Sequence, residues 1–377
     1  MSPEIMLPMP TKAMRVNLTN NEKYLLGVIH RAGKPISRPE IAEVSTLTFQ
    51  SVSRIVKGLH AQGILIEVGI QSEGRGKPRV CYQINAHFGF SAGVIFDNGS
   101  IAVCLIDMQG QLIKAAQELI TFSDPGTIAT RSYQLLHQLL LETNIPQDNL
   151  LGLGVSIPAR IKGEAGQYIF AAKFQEWDRI DIQALFASRF SVPVYIGNDA
   201  VNAAVGESFQ GYGKCSGDFY FIFIGHGIGS VAIENGVPRI GANGHAGELS
   251  MLFKGLMPNT NTLKQFLFEA GIDWDGTSPL TYEQMSSSGF DRWVSFCAQE
   301  LSSMIEIIIA LMDPPAIVIG GTLGPSLIQP IINHLALSSD SKKKAIVYST
   351  PVFQSDTERH TPAYGAAFLP LSNCVFK

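Results

Sequence analysis

Two acidic residues and one amide, one acid in a glycine-rich bend and the other pair where a strand gives way to a helix, are the groups in this 377-residue chain best placed to do chemistry. The stretch Gly241-Ala-Asn-Gly-His-Ala-Gly-Glu-Leu-Ser-Met251 leads small and turn-prone residues into Glu248. Glycine permits positive φ and close backbone approach, so Glu248 is expected at the wall of a cleft rather than on a solvated helix face. Upstream, Ile196-Gly-Asn-Asp-Ala-Val-Asn-Ala-Ala-Val-Gly-Glu207 sets Asn198 and Asp199 where a strand ends and a helix begins. Carboxylates accept pairs of hydroxyl hydrogens, so two acids and an amide converging on one cavity suit a polyhydroxylated ligand. The plainer reading is a glycine turn beside a helix N-cap.

The elements that must carry these residues are legible as hydrophobic runs. Phe88–Phe96, Ile101–Ile106 and Gln111–Leu119 read as consecutive strands, with Asp97-Asn-Gly-Ser100 as a hairpin turn. A helix from about Thr127 to Glu142 and a strand Leu151–Ile157 follow. A second half begins near Tyr220, with strands Tyr220–Ile224 and Ile228–Glu234. A long helix Asp291–Met312, a strand Ala316–Gly320 and a closing helix from Pro362 complete it.

Ahead of this body, residues 1–86 read as a separate module following a flexible arm over residues 1–19. A helix from Asn20 carries Leu25, Val28 and Ile29 on one face, and Ala32-Gly-Lys-Pro35 ends it. Ser37-x-x-Glu40 is a capping-box pattern opening a second helix, and Thr48 caps a third that ends near Gly63. The inward stripe of that third helix is Val52, Ile55, Val56 and Leu59. Its outward face offers Gln50, Ser51, Ser53, Arg54 and Lys57, which with Thr48 are the candidate contacts to bases or phosphates. Strands Ile64–Val68 and Val80–Ile84 then flank Gly74-Arg-Gly-Lys-Pro-Arg79, a basic wing. Arg75 suits a narrow minor groove, and Lys77 and Arg79 suit phosphates. Two short helices about a tight turn, with a basic hairpin behind them, make a winged helix-turn-helix for double-stranded operator DNA.

Taken together, the Asn198–Glu207 stretch, Ala246-Gly-Glu248 and Ile317-Val-Ile-Gly-Gly-Thr-Leu-Gly324 resemble the ROK family of sugar kinases and sugar-responsive repressors. The resemblance runs from roughly Phe88 to Leu371. Its NDA-x-x-AA-x-GE and GG motifs are complete, whereas only AGE survives of AGE-x-GH, because Ser250 and Met251 stand at the last two positions. The resemblance implies an α/β body, residues 87–377, with the two-lobed actin-like ATPase (ribonuclease H-like) fold and a ligand cleft between the lobes. It also implies that Asn198, Asp199 and Glu248 bind a sugar, with the aspartate serving as general base in kinases.

Departures from the family pattern separate regulator from kinase. The family's Asp-x-Gly-Gly-Thr phosphate loop corresponds to Ile95-Phe-Asp-Asn-Gly99, with Ile95 at the acid and Asp97 and Asn98 at the glycine pair. Isoleucine cannot bind magnesium, and Asp97 would repel a triphosphate, so no catalytic residue and no nucleotide cofactor are expected. Gly225-His-Gly-Ile-Gly229 and Gly320-Gly321 then serve hairpin geometry and packing. The zinc-binding histidine position is Met251, and Leu252 to Glu269 holds no cysteine, so no metal is expected either. Ala172-Lys-Phe-x-x-Trp177 places Lys173 where the family shows an asparagine. Its ammonium suits a sugar phosphate or acidic sugar, or it pairs with Glu248 in an emptied site.

Composition bounds these readings. Residues 1–86 hold 11 of the 28 Lys and Arg but 6 of the 32 Asp and Glu, so a basic head sits on an acidic body and points to a polyanion. No run approaches the ~18–20 apolar residues of a membrane span, and Glu306 interrupts the longest cluster, Met304–Met312. No signal peptide is evident, and five scattered cysteines fit a reducing cytoplasm. The expected function is a transcriptional regulator of carbohydrate genes, a homodimer or tetramer. Its effector is a sugar or sugar phosphate, or a transporter-derived protein in its place. A sugar kinase with a DNA-binding head and a ligand-free DNA-bound scaffold are the alternatives.

Overall fold

The computed structural model describes residues 17–71, 79–96, 99–121, 124–161, 168–170, 172–276, 278–337, 350–355 and 361–376. Among the described residues of the head, helices α1 (Asn20–Ala32), α2 (Arg38–Val44) and α3 (Phe49–Ala61) pack beside an antiparallel sheet. Its strands are β1 (Ile36–Ser37), β2 (Leu65–Gln71) and β3 (Arg79–Ile84), in the order β1-β3-β2. Local chemistry sets the helix starts. Thr19 and Glu22 form a capping box before α1. The Glu40 carboxylate accepts from the Ser37 backbone N–H at 2.8 Å, and Thr48 Oγ1 accepts from the Ser51 N–H at 3.3 Å. Such caps are each worth about 1 kcal/mol. The short strand β1 was not anticipated. Two residues carry no periodicity, and Ile36 is held by pairing with Tyr82 of β3 and by burial in the head's apolar cluster.

Two five-stranded sheets, among the described residues, repeat one pattern in the body. The first contains β4 (Phe90–Phe96), β5 (Ser100–Asp107) and β6 (Leu112–Leu119) as an antiparallel meander, with β7 (Leu150–Ile157) parallel to β4. After a hairpin of β8 (Ala159–Ile161) and β9 (Tyr168–Phe170), β10 (Val194–Asn198) joins the sheet parallel to β7. The order is β10-β7-β4-β5-β6. The second sheet runs through β11 (Phe219–Ile224), β12 (Ile228–Glu234), β13 (Val237–Arg239), β14 (Ile317–Gly321) and β15 (Val352–Gln354), with order β13-β12-β11-β14-β15. Each sheet therefore places its first strand centrally, its meander on one side and its two parallel strands on the other. Every residue of β7 is buried, as a parallel strand covered on both faces requires.

Helices cover these sheets. On the first, α4 (Pro125–Glu142) and α5 (Ile182–Ala187) bury Ile128, Leu136, Ile182 and Phe186 against Phe96 and Val155. Between the sheets runs α6 (Asp199–Gln210), whose Ala200, Ala203 and Ala204 pack on Phe219, Phe221 and Phe223 of β11. The second sheet is covered by α7 (Thr260–Glu269), α8 (Ser288–Met312) and α9 (Pro325–Asn333). The remaining face of the first sheet takes α10 (Thr361–Cys374). Its approach is close enough that a Cβ on Gly93 or Gly154 would lie 1.9 or 1.8 Å from the backbone oxygens of Ala363 or Ala366.

Among the described residues α8 alone is long and apolar enough to cross a membrane, and about half of that apolar stretch is buried. Its inward face, including Trp293, Cys297, Leu301, Ile305 and Ile308, belongs to the core of the second lobe. Glu306 therefore interrupts the sequence without breaking the apolar face, because the helix turns it away from that core.

The head is packed onto the body at one joint. Leu25, Leu26 and Ile29 of α1 share an apolar cluster with Val205 of α6 and with Phe368, Leu371 and Phe376 at the chain's end. Lys23 Nζ donates to the Asn373 carbonyl at 2.6 Å, and Gln109 Nε2 donates to the Ile84 carbonyl at 2.7 Å.

Candidate functional site

The cleft between the lobes is a cavity of about 550 Å³, lined by residues of both sheets and of the loops beyond their strands. Asn198, Asp199 and Glu248 all line it, so the three residues picked out by composition and turn chemistry meet on one cavity. Each is half-buried.

Local chemistry explains how the first two are held. Asn198 is the N-cap of α6, its Oδ1 accepting from the N–H groups of Ala200 at 2.9 Å and Val201 at 3.2 Å. Its Nδ2 donates to the Ala159 carbonyl at 2.9 Å, tying the hairpin β8–β9 to the start of α6. Asp199 is the first helical residue, where the partial positive charge of the helix N-terminus favours a carboxylate. The N-cap that the plainer sequence reading places beside the glycine turn is Asn198. The amide does two jobs at once, because a capping side chain at a strand's end also faces the cleft.

Glu248 is set by its neighbour. Gly247 has φ of +86°, and a Cβ there would lie 2.0 Å from the backbone oxygen of Ser230. Only glycine fits that approach. Ser230 Oγ donates to the Gly247 carbonyl at 2.7 Å, and the Tyr220 hydroxyl lies 2.8 Å from Ser230 Oγ. Burial raises the Tyr220 phenol above its ordinary range, with the Ser230 contact opposing. A chain of hydroxyls rooted in β11 and β12 thus holds the bend that carries Glu248. Among the described residues no three His, Cys, Asp or Glu side chains are grouped as a metal site would need.

Polar groups from His226, Asn261 and Thr322 also line the cavity and were not anticipated; Phe170 and Phe223 add apolar wall beside Ile95. His226 sits in the Gly225–Gly229 loop, read from sequence as hairpin geometry alone. Asn261 comes from α7, whose Thr260 donates both its N–H, at 2.9 Å, and its hydroxyl, at 3.1 Å, to the Gly225 carbonyl. Thirty-five residues separate those partners, and no local pattern announces the pairing. Ile95 pairs with Ala102 and Ser156 and faces the cavity, so an alkyl group stands where the resemblance implies an acid. Asp97 and Asn98 lie outside the described residues, as does the side chain of Lys173. The turn around Lys173 is anchored by Phe174 and Trp177, which pack on Phe96 at ring separations of 5.6 and 4.6 Å.

On the head, Gln50, Arg54 and Lys57 are exposed along one stripe of α3 at spacings of four and three residues. Ser53 accepts from Arg38 Nη1 at 3.1 Å, and Arg38 stacks over the Tyr82 ring at 5.8 Å. Thr48 caps α3 and donates to Ser51 Oγ at 3.1 Å. Thr48, Ser51 and Ser53 are thus engaged within the head, while Gln50, Arg54 and Lys57 project from it. Arg79 is exposed at the start of β3, and Arg75 and Lys77 lie outside the described residues.

With this geometry, residues 92–254 match the ROK family. The chain carries a ROK family domain. That match spans the first sheet, both motif bends and α6. The xylose repressor of Bacillus spizizenii is 28% identical over 231 residues, covering 61% of this chain and 59% of that protein. The DNA-binding transcriptional dual regulator NagC of Escherichia coli is 22% identical over 366 residues, covering 88% of this chain and 87% of NagC. A crystal structure of a ROK family transcriptional regulator, a homologue of the E. coli MLC protein, superposes with a TM-score of 0.69 at 18% identity. It covers 93% of this chain and 95% of that one. This last likeness is one of fold, over 93% of the chain.

Proposed function

We propose that this chain is a sequence-specific transcriptional regulator, a repressor of carbohydrate-uptake or carbohydrate-metabolism genes. In this reading residues 1–86 are a winged helix-turn-helix for operator DNA, and residues 87–377 bind a sugar or sugar phosphate in a cleft that has lost phosphoryl transfer. The observation that carries it is the likeness to a DNA-binding regulator over 88% of the chain, head and body together. The exposed Gln50-Arg54-Lys57 stripe supports it, since it offers amide and guanidinium groups of the kind that read adenine and guanine edges. Thr48, Ser51, Ser53, Arg75, Lys77 and Arg79 complete the proposed DNA surface.

Asn198, Asp199 and Glu248 are the proposed sugar-hydroxyl partners, with Lys173 selecting for an anionic sugar. Asp199 has no catalytic part in this reading. A general base accelerates a reaction about 10²–10⁴-fold, which counts for nothing without metal and phosphoryl donor, and Ile95 cannot hold the metal.

The connection between sites is α6. A helix of its length spans about 18 Å; one end carries Asn198 and Asp199, and the other carries Phe209 and Gln210 at the head joint. Closure of the lobes on a ligand would move α6 and, through it, the head. In a homodimer the two heads would meet half-sites about 34–36 Å apart, so a small rotation would break the register. The ligand must bind the two arrangements unequally to do this.

Fluorescence anisotropy of the full chain on duplexes selected from a random pool tests the reading. Salt-sensitive, sequence-selective binding that a sugar relieves is expected, with no nucleotide consumed. Turnover of ATP with a sugar, or the absence of any salt-sensitive DNA binding, overturns it.

A further inference from the structure

Every large aliphatic side chain of α3 is buried (Val52, Ile55, Val56 and Leu59), and its phenylalanine is not. Phe49, the first residue after the Thr48 cap, is 52% exposed. At the end of the preceding helix Val44 is 65% exposed. Neither belongs to the apolar cluster of the head, although Leu47 between them packs against it. The turn between α2 and α3 is therefore flanked on both sides by apolar groups that the fold leaves in water. Single exposed apolar residues are ordinary, but here two bracket the one turn whose position gives them a partner.

Helical periodicity explains the projection of the ring. Phe49 shares its face with Val52 and Val56, so it continues the buried stripe one turn beyond the point where the core ends. The adjoining stripe is Gln50, Arg54 and Lys57, polar and cationic. An apolar tip beside cations matches a surface that is anionic along its edges and apolar at isolated points. The major groove of DNA is such a surface, and its apolar feature is the C5-methyl group of thymine. In helix-turn-helix docking the N-terminal residues of the second helix are the ones that reach base edges.

We infer that Phe49, with Val44 beside the same turn, contacts a thymine methyl in each operator half-site and makes thymine a requirement there. The inference rests on the reading of the head as a DNA-binding module. It adds a base preference that the polar residues do not supply, since an amide or guanidinium pairs with adenine or guanine edges.

The test uses the full chain and a duplex selected from a random-sequence pool. Each thymine of the selected site is replaced in turn by deoxyuridine, which removes the methyl and leaves every hydrogen-bonding group in place. Loss of one buried methyl weakens binding about fourfold, and that loss is expected at one position per half-site. Phe49→Ala should bind more weakly, with an unchanged melting temperature, and should not distinguish thymine from deoxyuridine. Phe49→Leu should restore part of the discrimination. Equal binding of thymine and deoxyuridine at every position overturns the inference while leaving the DNA-binding reading intact, as does discrimination that survives in Phe49→Ala. If Phe49→Ala instead abolishes self-association with discrimination unchanged, the occupant of the patch is a second copy and the inference fails. If no duplex is selected above background, the DNA-binding reading itself fails and the inference falls with it.

Discussion

His30 Nε2 lies 3.3 Å from the backbone carbonyl of Phe209, which joins the first helix of the head to the last turn of α6. A carbonyl oxygen only accepts, so Nε2 carries the hydrogen and the neutral ring has its other nitrogen bare. The imidazole lies 5.4 Å from the Phe209 ring and 4.9 Å from the Phe376 ring. A buried polar contact in an apolar joint fixes alignment, because sliding the head along α6 would leave both groups unpaired.

Acid should loosen this joint. Burial is the main force holding the His30 pKa down at about 4, with Lys214 and Arg31 adding to it and the Phe209 carbonyl opposing. An unfolded histidine titrates near 6.5, so on acidification the unfolded chain takes the proton first. Stability from this site is complete above about pH 6.5 and is lost as pH falls toward 4, by up to about 3 kcal/mol. Urea unfolding at pH 7 and pH 5, compared between wild type and His30→Phe, checks this; the variant should show the shallower pH dependence.

Coupling between cleft and head should depend on the end of α6. Gln210 Nε2 donates to the Gln109 carbonyl at 2.8 Å, and Gln109 Nε2 in turn donates to Ile84 of the head. Gln210→Ala should cost about 1 kcal/mol of stability. It should bring operator affinities with and without sugar closer together while leaving sugar affinity unchanged. Anisotropy titrations beside calorimetry of sugar binding make the comparison.

The bend holding Glu248 should not tolerate a side chain at position 247. Gly247→Ala faces both the left-handed backbone and the Ser230 oxygen. It should destabilise the chain by more than about 1 kcal/mol and abolish sugar binding. Tyr220→Phe removes one hydroxyl from the brace and should be milder, about 1 kcal/mol. A thermal-shift panel of neutral and phosphorylated sugars on wild type and both variants measures this, and a preference for neutral sugars alone would count against Lys173 as an anion selector.

On the head, projecting and engaged residues should part company. Arg54→Ala should lose about 1–3 kcal/mol of base discrimination if its guanidinium pairs with guanine, whereas Ser53→Ala should lower the melting temperature by freeing Arg38 and cost less discrimination than Arg54→Ala. Arg75→Ala and Lys77→Ala should weaken binding to all sequences alike and flatten its salt dependence. Titrations of specific and scrambled duplexes at several salt concentrations distinguish these outcomes.

Sequence alone determined whatever short-range physics controls. The Ser37–Glu40 box, the Thr48 cap, the inward stripe of α3 and the glycine bend before Glu248 all depend on residues within about one turn of each other. Alternating and continuous apolar runs likewise placed most strands of both sheets. Strand β1, the hairpin β8–β9 and the edge strands β13 and β15 were missed, since two or three residues show no period. Tertiary structure decided the rest. It brought His226, Asn261 and Thr322 to the cavity from three separate segments, rooted the Glu248 bend in Tyr220 and Ser230, and set Phe209 against His30 across 179 residues. Those meetings depend on how two lobes and a head bury their apolar faces against one another. That packing is a property of the whole core, which no window of neighbouring residues contains.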